Sequence, residues 1–295
     1  MNTQEKLEFP ADPWLSRLVA RSLEEDIGPG DVSTRVAVDP SARAEALVVP
    51  RSNGVTAGLP LLAMVYAELE PQVRVELLTT DGAAVTAGQA VARIKGPAAA
   101  ILTGERTALN FLQYLGGIAT QTARYVAEVS GTGCLVLDTR KTLPGYRALA
   151  KYAVRCGGGH NHRLGLYDRI MIKDNHWASR RENLADVVAR ARREFPRLLV
   201  EIEVDDLEQL ARVLPLGVDW VLLDNFSLAD TRTAVARRDA AGAATRLETS
   251  GNVTLETVGD YARAGVDAVS IGRLTHSVPA WDLGMDFAPR KGGAV

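Results

Sequence analysis

The second half of this 295-residue chain alternates short apolar runs with amphipathic helical patterns, and this alternation most constrains its fold. The helical patterns are ENLADVVARARREF, LEQLARVL, LADTRTAVARR and LETVGDYARAG. The apolar runs are CLVLDTRK, RIMIKDN, LLVEIEV, WVLLDNF, RLETSGN and AVSIGRL. Strands that alternate with helices predict βαβ units and therefore a parallel sheet.

Polar groups follow these apolar runs, at the points where the strands are predicted to end. They are the segment 138–141, Lys173, Glu203, Asp224, the segment 250–252 and the segment 272–273. In a (β/α) barrel the catalytic groups come from the carboxyl ends of several strands, whereas a doubly wound open sheet concentrates them at one switch point. The pattern therefore favours a barrel.

The first half of the chain has a different character, which changes near residue 130. Three β-like segments, AEALVVP, VRVELLTT and AVARIKG, are separated by glycine-rich turns, and the stretches 14–23 and 61–69 have helical spacing. A long helix is predicted from about Thr103 to Val129, with Arg106 in its first turns.

The overall charge argues against two classes of partner. The formal net charge is −2, so no broad basic field exists to hold nucleic acid or an anionic membrane. No apolar run approaches the ~20 residues needed to span a bilayer, and the N-terminus lacks a signal-peptide pattern. Cys134 and Cys156 cannot build a disulfide framework and are expected to be small buried residues. We expect a cytoplasmic protein that binds neither nucleic acid nor a membrane.

A local cationic cluster stands against this acidic background. The stretch RCGGGHNHRLGLYDRIMIKDNH, at 155–176, is rich in glycine, histidine and basic residues. In a barrel, five of the chain's side chains would meet at one face: Arg140, Lys141, His162, Arg163 and Lys173. An arginine fork matches a carboxylate or a phosphate, and lysine supplies a point charge. The cluster predicts a site for a small, strongly negative ligand.

Two acids and two turns are predicted at the same face. Glu203 and Asp224 follow consecutive strands, where they would hold Mg²⁺ jointly with a substrate phosphate, stabilise positive charge on a sugar, or form a structural ion pair with a nearby cation. The turns 250–252 and 270–272 follow late strands, where barrels often bind a phosphate.

Zinc is the alternative that the histidines raise. His160, His162 and His176 would supply three ligands, but no cysteine or histidine pair completes a usual zinc spacing. The adjacent Arg163 and Lys173 would repel a divalent cation. An anion site is therefore preferred.

The long motifs of the chain carry a family resemblance. One resembles the core of the quinolinate phosphoribosyltransferases: TRKTLPGYRALAKYAVRCGGGHNHRLGLYDRIMIKDNH. Others match the same family in the same order: GERTALNFLQYLGGIAT, VEIEVDDLEQL, LLDNF, LETSGNVT and SIGRLTHS. The resemblance runs from about residue 10 to residue 287. Two departures are Arg169, where the family usually has a small residue, and SGN in place of the commoner SGG.

This resemblance implies an N-terminal α/β sandwich-like domain followed by an incomplete, seven-stranded α/β barrel. We place the first domain and a dimerisation helix at 1–130, the barrel at 131–276, and a tail at 277–295 that packs back on the first domain. The implied activity is that of a pentosyltransferase in NAD biosynthesis. With Mg²⁺ as cofactor, it joins quinolinate to phosphoribosyl pyrophosphate and gives nicotinate mononucleotide, pyrophosphate and CO₂.

The same resemblance assigns roles to most of the polar residues. The quinolinate pocket is matched by Arg140, His162, Arg163 and Lys173, with Thr139 also in contact with substrate. The 5′-phosphate cradle is matched by Ser250, Gly251, Asn252, Ser270 and Gly272, with His276 close by.

Three residues are assigned to catalysis, and one to subunit contact. Lys141 lies between the two substrates, while Glu203 and Asp224 match acids near the ribose hydroxyls and Mg²⁺. Arg106 matches an arginine that the partner subunit inserts into the site, which implies a homodimer or a hexamer of such dimers.

Two other functions remain open at this point. One is a relative that kept the barrel but changed its acceptor, such as the homologous protein encoded with molybdate transporters or a nicotinate phosphoribosyltransferase. The former usually lacks parts of RCGGGHNHR, which is intact here. The other is a non-catalytic anion-binding protein, which only an activity measurement would distinguish.

Overall fold

A computed structural model describes residues 7–11, 13–173, 176 and 183–287 of the chain. The chain divides into two compact units. Unit 1 comprises Met1–Gln121, Ala148–Gly158 and Val278–Val295, and unit 2 comprises Thr122–Arg147 and Gly159–Ser277. None of the described helices combines the length and apolar character needed to cross a lipid bilayer.

Unit 1 is built on a four-stranded antiparallel sheet. Its strands are β1 (Arg43–Pro50), β3 (Arg74–Leu77), β5 (Ala92–Pro97) and β12 (Leu283–Phe287), in the order β12-β1-β5-β3. A separate pair is formed by β2 (Gly54–Val55) and β4 (Ala84–Val85). The pairing of β12 with β1 brings the described part of the C-terminal tail to the edge of this sheet.

Five of the described helices lie wholly or mainly in unit 1. They are α1 (Pro13–Ile27), α2 (Val32–Ala37), α3 (Pro60–Leu69) and α4 (Ala98–Glu128), together with α5 (Arg147–Cys156). Leu61, Leu62 and Val65 of α3 are completely buried, as are Val48 of β1 and Ile94 of β5. Burial of each such side chain contributes roughly 1.5–3 kcal/mol.

Unit 2 is a parallel sheet with helical connections. Its strands are β6 (Leu135–Leu137), β7 (Ile170–Ile172), β8 (Val200–Val204), β9 (Trp220–Asp224), β10 (Arg246–Ser250) and β11 (Ala268–Ser270). Its helices after β7 are α6 (Leu184–Glu194), α7 (Leu207–Val213), α8 (Leu228–Ala240), α9 (Val258–Arg263) and the short α10 (Arg273–His276), with a 3₁₀ turn at Leu214–Leu216. The Asn183, Asp206 and Ser227 side chains cap the first three of these helices, which fixes where each βα loop ends.

The strand order shows why the barrel is incomplete. The strands pair in the order β6-β11-β10-β9-β8-β7, all parallel, and His160 forms a single parallel bridge with Leu137 of β6. His160 therefore occupies the position of a seventh strand. No pairing among the described residues joins His160 to β7, so the barrel is open between them.

The predicted fold class is confirmed, and each apolar run singled out in the sequence contains a strand of the parallel sheet. The helix α5 was not predicted. It lies within the range that we assigned to the barrel domain, yet all of it except Arg147 belongs to unit 1. Residues 288–295 of the predicted tail lie outside the described residues.

Candidate active site

The carboxyl ends of the barrel strands bring polar residues into register. Ser250 of β10 lies opposite both Asp224 of β9 and Ser270 of β11, and each of the three is the last residue of its strand. Side chains on a strand alternate between faces, so residues two positions earlier share the inward direction. The strand ends therefore form a polar rim above an interior that further side chains of the same strands fill.

A cavity of about 280 Å³ lies at this rim, and we call it the strand-end cavity. Its lining consists of Thr139, Arg140, Lys141, His162, Arg163, Met171, Lys173, Glu203, Leu222, Asp224, Glu248, Ser250 and Ser270. The structure thus brings together every residue predicted for the quinolinate pocket and both predicted acids.

A second cavity of about 400 Å³, the loop cavity, adjoins the first. It is lined by Lys141, Ser250, Gly251, Asn252, Val253, Thr254, Ser270, Ile271, Gly272, Arg273 and His276. All residues predicted for the phosphate cradle are among them. Lys141, Ser250 and Ser270 line both cavities, so the two form adjoining compartments of one site.

Arg106 is the predicted site residue that lines neither cavity. It lies on α4 in unit 1, where its side chain is exposed and Nη2 is 3.9 Å from Glu105 Oε1.

Positive charge in the strand-end cavity is only partly compensated. Lys173 Nζ donates to Glu203 Oε2 in a close ion pair. Burial lowers the pKa of Arg163, and the neighbouring Arg140 guanidinium lowers it further. A guanidinium whose pKa is depressed by a second guanidinium gains when an anion binds between them. The cavity therefore has the electrostatics of an anion site.

The two rim acids differ in their surroundings. Glu203 is buried and paired with Lys173. Burial raises the pKa of Asp224, whose Oδ2 accepts a hydrogen bond of 2.9 Å from Asn225 Nδ2. Two carboxylates on adjacent strands that line one cavity suit Mg²⁺, which takes few protein ligands and completes its shell with water and phosphate oxygens.

A fully buried aspartate holds the GGGHNHR segment against β6. Asp138 Oδ1 accepts a hydrogen bond of 2.9 Å from the His162 backbone N–H, and Oδ2 accepts one of 2.5 Å from Asn161 Nδ2. The backbone of His160 adds bonds to Val136 of β6 and to Asp138, which directly follows that strand. These bonds fix the chain that carries His162 and Arg163 at the cavity.

The hydrogen bonds of His162 define its tautomer. Its Nδ1 accepts a hydrogen bond of 2.7 Å from the Arg163 backbone N–H, which favours the tautomer with the ring proton on Nε2, and Arg169 Nη1 also lies 3.2 Å from Nε2. Nε2 is 3.1 Å from Glu201 Oε2 and 3.5 Å from Glu248 Oε2. Its N–H is thus directed at buried carboxylates below the cavity.

Glu201 and Glu248 form a buried acidic layer with His162. Both glutamates are inaccessible to solvent, and the three side chains bring potential metal-ligand atoms within 4.8 Å of one another. Arg169 Nη1 lies 3.3 Å from Glu201 Oε2, and its guanidinium stacks 5.7 Å from the Trp220 ring. Of the three histidines considered for zinc, this group contains His162 alone.

The two acids of this layer differ in charge. Burial opposes ionisation of Glu201, but contacts with His162 and Arg169 outweigh it and lower the pKa of Glu201. Burial and the nearby Glu201 carboxylate raise the pKa of Glu248 well above its ordinary value. Two carboxylates in one dry site favour a state in which only one is ionised.

The loop cavity depends on a glycine. Gly251 has φ of 89°, in the left-handed region, and a Cβ there would lie 2.1 Å from Asn225 Oδ1. Only glycine lets this turn approach the Asn225 side chain so closely.

Comparison with known proteins accounts for this arrangement. The family model described as "Quinolinate phosphoribosyl transferase, N-terminal domain" matches residues 31–116, and the model for the C-terminal domain matches residues 118–286. The chain belongs to the quinolinate phosphoribosyltransferase family. A Mycobacterium leprae protein named nicotinate-nucleotide pyrophosphorylase (carboxylating) is 43% identical over 272 residues, which cover 91% of this chain and 95% of that protein. A Bacillus subtilis protein named as a probable enzyme of the same activity is 39% identical over 273 residues, with 92% and 93% covered.

Solved structures of the family share the fold. The nicotinate-nucleotide pyrophosphorylase of Francisella tularensis matches with a TM-score of 0.87 and 37% identity, covering 95% of this chain and 99% of that one. The predicted family is therefore confirmed across both halves of the chain.

Two acids of this chain's barrel interior were not singled out from the sequence: Glu201 and Glu248. A signal was present, because each acid stands inside an apolar strand, two residues before a predicted site residue. Glu201 precedes Glu203 in VEIEV, and Glu248 precedes Ser250 in LETS. The period of a strand places each pair on one face.

Proposed function

We propose that this chain transfers the phosphoribosyl group of phosphoribosyl pyrophosphate to the ring nitrogen of quinolinate, with loss of CO₂. The products are nicotinate mononucleotide and pyrophosphate, and the reaction belongs to NAD biosynthesis. The proposal rests on the strand-end cavity and the loop cavity, which adjoin each other in a chain of the quinolinate phosphoribosyltransferase family. One compartment is cationic, the other is a small-residue loop pocket, and Lys141 lines both.

Quinolinate fits the charge of the strand-end cavity. It carries two adjacent carboxylates, and Arg140, Arg163 and Lys173 would bind them. His162 would shape the base of this compartment, since its Nε2–H is directed at Glu201. Nicotinate lacks the carboxylate at C2 and would leave at least one of these cations unpaired.

Phosphoribosyl pyrophosphate would bind across both compartments. Its 5′-phosphate would occupy the loop cavity, at the turns 250–252 and 270–272, where closely approaching backbone suits phosphate oxygens. Lys141 would contact the pyrophosphate as it leaves. We also propose that Glu203 and Asp224 hold Mg²⁺ with substrate oxygens, and this ion would neutralise charge on the leaving pyrophosphate.

The transfer step needs negative charge beside the ribose. The pyridine nitrogen attacks C1 of the ribose, the bond from C1 to pyrophosphate breaks, and positive charge develops on the sugar. Glu203 and Asp224 line the cavity at adjacent strand ends and would stabilise that charge electrostatically. The product of this step is an N-ribosylated pyridinium, an electron sink that lets the C2 carboxylate leave as CO₂.

The assembly and compartment are parts of the same proposal. Arg106 is exposed on α4, and we propose that it completes the site of a second copy in a homodimer. A cytoplasmic location agrees with two free, buried cysteines, Cys134 and Cys156.

The test is incubation of the purified chain with quinolinate, phosphoribosyl pyrophosphate and Mg²⁺. We expect nicotinate mononucleotide, pyrophosphate and CO₂ in equal amounts. Nicotinate should react roughly 10³-fold less efficiently or worse, because it leaves half-buried cations of the cavity unpaired. As matched variants, Arg163→Met should abolish turnover, whereas Arg212→Met, at an exposed arginine of α7, should not. Absence of product, or equal turnover of nicotinate and quinolinate, would overturn the proposal.

A further inference from the structure

Glu248 is a carboxyl group with an unusual position. It lies in the middle of β10, is inaccessible to solvent, and yet lines the strand-end cavity. Neither of its oxygens makes a hydrogen bond of normal geometry with the described residues. A buried carboxylate would be costly in such a place, whereas a neutral carboxylic acid is not.

The surrounding charges favour the acid form of Glu248. The guanidinium of Arg169 is directed at Glu201, not at Glu248, and His162 Nε2 is nearer to Glu201, at 3.1 Å against 3.5 Å. Glu201 thus holds the local negative charge. Burial and this neighbouring charge raise the pKa of Glu248 well above its ordinary value, which favours its acid form.

The other proton donors of the cavity are engaged elsewhere. Lys173 donates to Glu203, and the His162 Nε2–H is directed at the buried acids. Lys141 is exposed and lines the loop cavity as well, where pyrophosphate and phosphate oxygens would attract it. The Glu201 carboxylate lies beside Glu248 and can accept its proton, but of these two acids only Glu248 lines the cavity. This is the situation of a buried acid kept neutral for donation.

We propose that the carboxylic acid of Glu248 supplies the proton that C2 of the pyridine ring takes up when CO₂ leaves. The inference rests on the proposed function, which provides the decarboxylation. The bond between C2 and its carboxylate breaks, and the electron pair stays on C2 beside the cationic ring nitrogen. The O–H bond of Glu248 then breaks as a C2–H bond forms. When product leaves, the Glu248 carboxylate regains a proton through the strand-end cavity that it lines.

Rapid-quench single turnover separates this step from the transfer. Enzyme in excess is mixed with quinolinate, phosphoribosyl pyrophosphate and Mg²⁺, and pyrophosphate and nicotinate mononucleotide are measured over time. In Glu248→Gln, pyrophosphate should appear at close to the unmodified rate, while nicotinate mononucleotide should appear at least about 100-fold more slowly. The N-ribosylated dicarboxylate should accumulate between them. Glu248→Asp, which keeps an acid, should recover part of the lost rate.

Each outcome decides the proposal. Equal, unchanged appearance of both products in Glu248→Gln would overturn it. Equal slowing of both, or a change confined to KM, would instead make Glu248 a binding or transfer residue. Failure of Glu248→Gln to fold would also overturn it, because an amide should replace a neutral acid of the same shape without unfolding the barrel. Glu208→Gln, at an exposed glutamate of α7, controls for loss of a carboxyl group elsewhere. If the unmodified chain makes no nicotinate mononucleotide, the proposed function fails instead.

Discussion

Removal of the Arg169 guanidinium should destabilise the barrel by an amount that the geometry sets. Arg169 Nη1 lies 3.3 Å from Glu201 Oε2, and the carboxylate is inaccessible to solvent. Loss of one partner of a buried ion pair commonly costs about 3–5 kcal/mol. His162 keeps its own contact with Glu201 at 3.1 Å, so the carboxylate is not left without a donor. We therefore expect about 2–3 kcal/mol for Arg169→Ala, which includes the lost stacking on Trp220.

The lowered pKa of Glu201 predicts how this loss of stability depends on pH. The pKa of Glu201 is lowered in the fold, so its ionisation stabilises the fold above the pKa of the unfolded chain, and this stabilisation is lost as pH falls through the folded pKa. Arg169→Ala removes part of that contribution. The free energies of unfolding of the unmodified chain and of Arg169→Ala should differ most near neutral pH. This difference should become smaller as acid protonates Glu201.

Urea unfolding at several pH values measures this difference. Arg212→Ala is the control, because its pair with Glu208 spans 4.0 Å between exposed side chains and should contribute almost nothing. Adding Glu201→Gln to Arg169→Ala should recover much of the loss, since position 201 then carries no buried charge that needs a partner. A loss below about 1 kcal/mol for Arg169→Ala, or one that does not change with pH, would refute the assignment of an ionised Glu201.

Three further predictions concern the proposed reaction. Asp224→Asn should lower kcat by about 100-fold with little change in the KM for quinolinate, because the positive charge that the Asp224 carboxylate stabilises appears only in the transition state. Steady-state kinetics that show a raised KM and an unchanged kcat would contradict this. Gly251→Ala should cost roughly 1–2 kcal/mol of affinity for phosphoribosyl pyrophosphate, or about tenfold in KM. The control is Gly242→Ala, because Gly242 also has a positive φ but has open space around it, and its KM should be unchanged. Arg106→Ala and Lys141→Ala should each be nearly inactive, and a mixture whose subunits exchange should recover roughly a quarter of unmodified activity. An inactive mixture after proven exchange would show that Arg106 does not act across a dimer interface.

The strands of the barrel were predictable because parallel strands are buried on both faces. Such strands appear in sequence as continuous apolar runs, and their carboxyl ends share one edge of the sheet. That geometry is why Glu203, Asp224 and Ser250 could be placed together before any coordinates were known. The register of β8, β9 and β10 agrees with it.

Elements that lack this signature were missed. The seventh strand position is a single residue, His160, held to β6 by backbone bonds, and the GGGHN segment around it contains no apolar run. The helix α5 contains Lys151, which is only 1% exposed, so a charged residue interrupts the expected apolar face. Local sequence patterns cannot reveal a lysine that tertiary contacts bury.

The layering of charge in the barrel bears on product release. Cations line the strand-end cavity, and a single ionised acid, Glu201, lies beneath them, neutralised by Arg169. The cations therefore face the bound acceptor with little compensation from below. On the proposed reaction, loss of CO₂ removes one of the two carboxylates that balance Arg140 and Arg163. The product leaves these half-buried guanidinium groups less well paired than the substrate did, so decarboxylation itself weakens binding of the ring and favours product release.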